Sequence, residues 1–145
     1  MDTALLARSR RPSVSGYYYP EDPELLQEAV DRLLQGAGAK VRARGVVVPH
    51  GSLRHAGTVM GATLRRLNVP RRCIIVGASH TGGSALRWSC LARGAYRTPL
   101  GTVEVDEPLV DALRARCPWL EPDPWGQRGE HAIEVPLPFL QYLGP

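Results

Sequence analysis

The sequence predicts an α/β fold with a mainly parallel sheet flanked by helices. Two β-branched apolar runs, residues 45–48 and 73–77, suit short strands buried on both faces. Between them, residues 58–68 place Val59, Met60, Ala62, Thr63, Leu64 and Leu67 at helical spacing. Strand, helix and strand within about thirty residues make a βαβ unit, expected to be right-handed and parallel.

The elements follow in order. Residues 1–10 read as a flexible N-terminus, and residues 11–20 as a turn-rich stretch with Tyr17, Tyr18 and Tyr19 in succession. Asp22 offers an N-cap, Pro23 suits the first helical position, and Glu24 favours the positive end of the helix dipole. Leu25, Leu26, Ala29, Val30, Leu33 and Leu34 form the apolar face, and Gly36 ends the helix. Pro49 stops the first strand, and Pro70 closes the second helix. Past a loop at Gly82 and Gly83, residues 86–91 read as a strand and residues 95–105 as an extended stretch around Pro99. Asp106 caps a helix over residues 107–116, with Leu109, Val110 and Leu113 buried. Residues 118–129 read as an irregular loop, and a last apolar segment, 135–143, is interrupted by Pro136 and Pro138.

Bulk composition narrows the function. The 145 residues suffice for one domain with one core. No apolar run approaches the roughly 20 residues of a membrane span. The start of the chain has an early acid and too short an apolar stretch for a signal peptide. A cytoplasmic protein without membrane contact is expected. The net charge of +4 is carried almost wholly by arginine, Lys40 being the only lysine. The arginines are scattered and form no stripe interleaved with aromatics, so nucleic acid is not an expected partner. Cys73, Cys90 and Cys117 lack C-x-x-C spacing, which excludes a zinc knuckle or a thioredoxin-like motif. Cys73, heading the second strand, is expected to be a small buried hydrophobe.

The chemistry should lie past the strands, because ligands bind beyond the carboxyl ends of open parallel sheets. His50 follows the first strand and His80 the second. Neighbouring strands about 5 Å apart would bring both imidazoles to one edge. Two neutral imidazoles suit Fe, Cu or Zn and leave room for a third ligand. The plainer alternative is a pair of loop histidines, each bonded to backbone. His131 stands beside Glu130, with Glu134 three residues on. A carboxylate beside an imidazole can fix its tautomer, so His131 is a candidate acid or base, or simply part of a helix start. The loop containing Ser79 has neither the lysine of a P-loop nor the glycine spacing of a dinucleotide fingerprint. The three tyrosines either line a pocket or pack as an aromatic patch.

Five motifs, taken in order, resemble the Memo family, the B component of the AmmeMemoRadiSam group. Residues 11–20, RPSVSGYYYP, are similar to the family's R-x-P-x-x-A-G-x-[FW]-Y-P. Val48-Pro49-His50 opens its P-H-A-G motif, and Val76-Gly77-Ala78-Ser79-His80 matches G-P-S-H. Thr98-Pro99-Leu100-Gly101 with Asp106 matches T-P-L-G…D, and residues 130–141 match E-H-S-x-E-x-x-L-P-F-L.

The resemblance implies a fold related to class III extradiol dioxygenases, which are non-haem iron enzymes. It implies that His50 and His80 hold a divalent metal, that His131 reaches the same pocket as proton donor or acceptor, and that Tyr18 forms its wall. Leu53 and His55 stand where the family has tyrosines, so Arg54 and His55 join Tyr18, Ser79 and Glu134 as expected substrate contacts. Residues 11–145 correspond to the N-terminal half of the family pattern. Metal ligation by this chain alone is therefore expected to be incomplete, with self-association or a second chain completing the fold. Three roles stay open: a dioxygenase-related enzyme acting on a small molecule, a non-catalytic binder of an anionic or phosphotyrosine-type peptide ligand, and an inactive shortened relative.

Overall fold

The first helix forms as its cap predicts. Asp22 Oδ1 accepts a hydrogen bond from the Leu25 amide at 3.0 Å, and α1 runs Pro23–Leu34. The computed structural model describes residues 9–82 and 86–144. Leu26 and Val30 of α1 are fully buried, but Leu25 is exposed, so the apolar stripe is narrower than expected.

The second helix, α2, runs Leu53–Leu64, several residues earlier than its predicted span, and exposes Val59. Gly57 and Gly61 both lie inside α2 and face Leu33. A Cβ at Gly61 would strike the Leu33 carbonyl, so the glycines let α2 approach α1 closely. The third helix, α3, covers Glu107–Arg116 as predicted, and Asp106 Oδ1 accepts from the Leu109 amide at 3.0 Å. Its Leu109, Val110 and Leu113 are only half-buried, against expectation, because they face an open cavity. Pro136 and Pro138 do not interrupt the final segment. They begin α4, Leu137–Leu143, where a missing N–H removes no intrahelical bond.

The strands are short: β1 (Ser9–Arg10), β2 (Ser89–Cys90), β3 (Ala95–Thr98), β4 (Gly101–Glu104) and β5 (Glu121–Pro122). One sheet has the order β1-β3-β4, with β1 parallel to β3 and β3 antiparallel to β4. The β3–β4 hairpin turns at Pro99 and Leu100, and Gly101 supplies a positive φ of 123°. The other sheet pairs β2 with β5 in parallel. The sheet system is thus mixed rather than mainly parallel. Ser9 and Arg10 belong to a strand instead of a loose terminus. The rest of that expected terminus, residues 1–8, and Gly83 lie outside the described residues.

The two predicted central strands are the main correction. Residues 45–48 and 73–77 join no ladder among the described residues. Val47 is 93%, Ile74 62% and Val76 73% exposed, and Cys73 is exposed with them. A buried parallel strand needs a neighbour on its edges and cover on both faces. No described element supplies that cover. What persists is the direction: a parallel bridge between Val41 and Leu67 aligns the segments leading into the two runs.

The core lies elsewhere. Tyr19, Leu26, Val30, Met60, Leu64, Val135 and Phe139 pack α1, α2 and α4 together. No helix among the described residues is long and apolar enough to cross a membrane.

Candidate metal centre

The site is assembled by a glycine. A Cβ at Gly77 would lie 2.6 Å from the Ala132 Cβ, so only glycine lets residues 73–80 close on residues 130–132. That approach brings His80 to Glu130. The His80 amide donates to Glu130 Oε2, and His80 Nδ1 lies 2.9 Å from Glu130 Oε1. The Ala132 amide also donates to Oε1 at 2.9 Å. Burial alone would raise the Glu130 pKa, but these hydrogen bonds and the adjacent imidazole outweigh it and lower it to about 2. An ionised carboxylate at Nδ1 fixes the tautomer that leaves Nε2 as a lone pair.

His50 Nε2 lies 3.1 Å from His80 Nε2, with ring centroids 4.9 Å apart. The His131 ring is 4.6 Å from that of His80 and 6.0 Å from that of His50. One nitrogen from each of the three rings falls within 4.8 Å of the others. Tyr18 packs edge-on against His131, centroids 5.0 Å apart. Burial lowers the His131 pKa, and the neighbouring His80 and His50 add to this against the pull of Glu130. The net effect favours the neutral form of the His131 ring. Two imidazoles at this distance can share one proton. Nitrogens bonded to a common ion at roughly 2.1 Å also sit about 3.0–3.4 Å apart, and the third ring converging on the pair fits that second arrangement.

The other predicted residues divide. Tyr18 joins the group. Tyr17 is exposed, and Tyr19 is buried in the core. His55 Nδ1 is 2.8 Å from Ser52 Oγ at the start of α2, which ties it to the helix end, and Arg54 is exposed on the same turn. Ser79 is exposed and lines a separate, mostly apolar cavity of about 610 Å³, together with Glu130.

Glu134 is corrected outright. It is fully buried, and its oxygens accept from Arg10 Nη1 at 2.8 Å, Ser13 Oγ at 2.7 Å, Tyr19 Oη at 2.6 Å and the Ser13 and Val14 amides. It anchors residues 10–19 and has no oxygen free for a substrate.

Two residues escaped sequence reasoning. Glu130 reads in the sequence only as a neighbour of His131; in the fold its carboxylate bonds to His80 and the Ala132 amide and lies 3.8 Å from His131 Nδ1. Arg10 carried no signal, yet it is buried and reaches the Gln127 and Glu130 carbonyls as well as Glu134.

Comparison with known proteins bears on this geometry. The family model described as Memo-like protein matches residues 10–145. A MEMO1 family protein of Methanopyrus kandleri is 37% identical over 148 residues, covering 92% of this chain and 52% of the relative. One of Aquifex aeolicus is 34% identical, covering 92% and 50%, and one of Methanothermobacter thermautotrophicus is 33% identical, covering 92% and 52%. The chain spans about half the length of the curated relatives it matches.

Proposed function

This chain belongs to the Memo-like family, and from that premise we propose that His50, His80 and His131 hold one divalent metal ion. The convergence of three imidazole nitrogens within 4.8 Å carries the reading. Three imidazole nitrogens suit Fe, Cu or Zn and leave coordination positions for a small ligand. The ion would supply a Lewis-acid or redox centre there, in keeping with the dioxygenase relationship that the motifs imply. The chain's own residues do the positioning. Glu130 orients His80 through Nδ1, Tyr18 walls His131, and Gly77 admits the close approach that brings them together.

His131 is a ligand in this reading rather than a free acid or base, because its ring is as near to His80 as that of His50. Metal analysis of protein reconstituted with Fe(II), Zn(II) or Cu(II) tests the proposal. About one ion per chain is expected. Alanine at any of the three histidines should abolish retention, and Glu130→Gln should weaken affinity by about 10- to 100-fold. Wild-type protein that takes up no ion, or a triple histidine variant that binds as well, sinks the proposal. If His131→Ala keeps full affinity, His131 returns to the acid–base role.

A further inference from the structure

The charge distribution along the chain is uneven. Between Asp31 and Glu104 there is no acid, yet twelve of the eighteen cations lie there. The arginines are scattered in sequence, but the fold gathers some of them. The Val41–Leu67 bridge, with the Val41 amide donating to the Arg66 carbonyl at 2.6 Å and the Asn68 amide to the Val41 carbonyl at 3.1 Å, sets two cationic segments side by side. Side chains alternate along paired segments, so Lys40 and Arg42 share a face with Arg66 and Asn68. Arg42, Ala43, Arg44, Asn68, Val69 and Pro70 line an open depression of about 850 Å³. It precedes the runs that end at His50 and His80.

Two nearby cations are already committed: Arg72 pairs with Asp106 at 2.7 Å, and Arg65 donates to the Gln35 carbonyl. Among the described residues, no ion pair neutralises Lys40, Arg42, Arg44, Arg66 or Arg71. A guanidinium offers a planar fork of donors that matches phosphate oxygens. Arg42 and Arg44 line the depression, and Lys40, Arg66 and Arg71 lie within two residues of its lining in sequence, which together exceed what a single phosphate needs.

We propose that this depression is a second binding site, for a compact anion carrying two or more linked phosphate groups. A nucleic-acid strand fits less well, because no Phe, Tyr or Trp lies between Tyr19 and Trp88 to stack a base.

Calorimetric titration of the full chain with inorganic tripolyphosphate, in EDTA at low salt, tests the site. Saturable one-site binding is expected, weakening steeply as salt rises. The double variant Arg42→Glu plus Arg44→Glu should lose at least tenfold in affinity and Arg71→Ala several-fold, with circular dichroism unchanged. Arg116→Glu on α3 should bind as wild type. No saturable binding, or equal affinity in the folded double variant, overturns the proposal. So does tight binding of duplex DNA that tripolyphosphate fails to displace.

Discussion

At the scale of single residues, the clearest lesson comes from two glutamates four positions apart. Both lie in the same motif, and the sequence marks both as neighbours of His131. The fold separates their work: Glu130 faces the imidazoles, while Glu134 turns inward to Arg10, Ser13, Val14 and Tyr19. Burial opposes the charge on Glu134, but the bonds from Tyr19, Ser13 and Val14 outweigh it, so its pKa is lowered. A carboxyl whose pKa is lower folded than unfolded adds stability above its unfolded pKa, near about 4.3, and that share is lost as pH falls through the folded value. Glu134→Gln should therefore destabilise the protein at neutral pH, by about 3–5 kcal/mol, because Arg10 would be left buried without its counter-charge. It should also flatten the acid limb. Urea unfolding from pH 7 to pH 3 checks both effects, and equal stability of the two proteins at pH 7 would contradict the account. His50, His80 and His131 were legible because each sits in a short motif of its own. The inward turn of Glu134 was not, since no local pattern specifies a partner more than a hundred positions away.

At the scale of elements, caps were legible and close approaches were not. Asp22 and Asp106 each accept the amide three residues on, and both helices begin where those residues predict. The start of α2 was misjudged because glycine in a helix lowers intrinsic propensity. Tertiary contact with Leu33 reverses that judgement, and propensity cannot reveal it. Gly77 follows the same logic at the site. Gly77→Ala would set two methyl groups 2.6 Å apart, and the Ala132 methyl has no rotamer through which to yield. The run must then move off residues 130–132 and take His80 away from Glu130. A loss of about 1–3 kcal/mol in stability is expected from overpacking, with weakened metal uptake alongside. The compensating variant Gly77→Ala plus Ala132→Gly should restore both. Chemical denaturation and metal titration of the three proteins measure this, and failure of the compensating change to recover either property would show that the contact does not position His80.

At the scale of the molecule, the α/β class was legible from the alternation of β-branched runs and amphipathic segments. The sheet was not, because a β-branched run reports a preference for cover without saying what provides it. In the structure the parallel bridge at Val41 and Leu67 aligns the two runs and brings His50 to His80, although the runs make no ladder. Their apolar side chains Val47, Ile74 and Val76 face outward beside backbone groups that no ladder pairs. An exposed, apolar, unpaired edge of this kind templates association with another chain. A second copy is always at hand in pure protein, so self-association should rise with concentration. Hydrogen exchange should then show residues 45–48 and 73–77 open in dilute protein and protected in concentrated protein, while α1 and α2 stay protected throughout. Val47→Lys plus Val76→Lys should remove that gain and leave a monomer by sedimentation velocity, with helical content unchanged. Wild type that stays monomeric at every concentration, with both runs still open to exchange, would rule out pairing between copies. It would leave those edges to a partner of a different sequence.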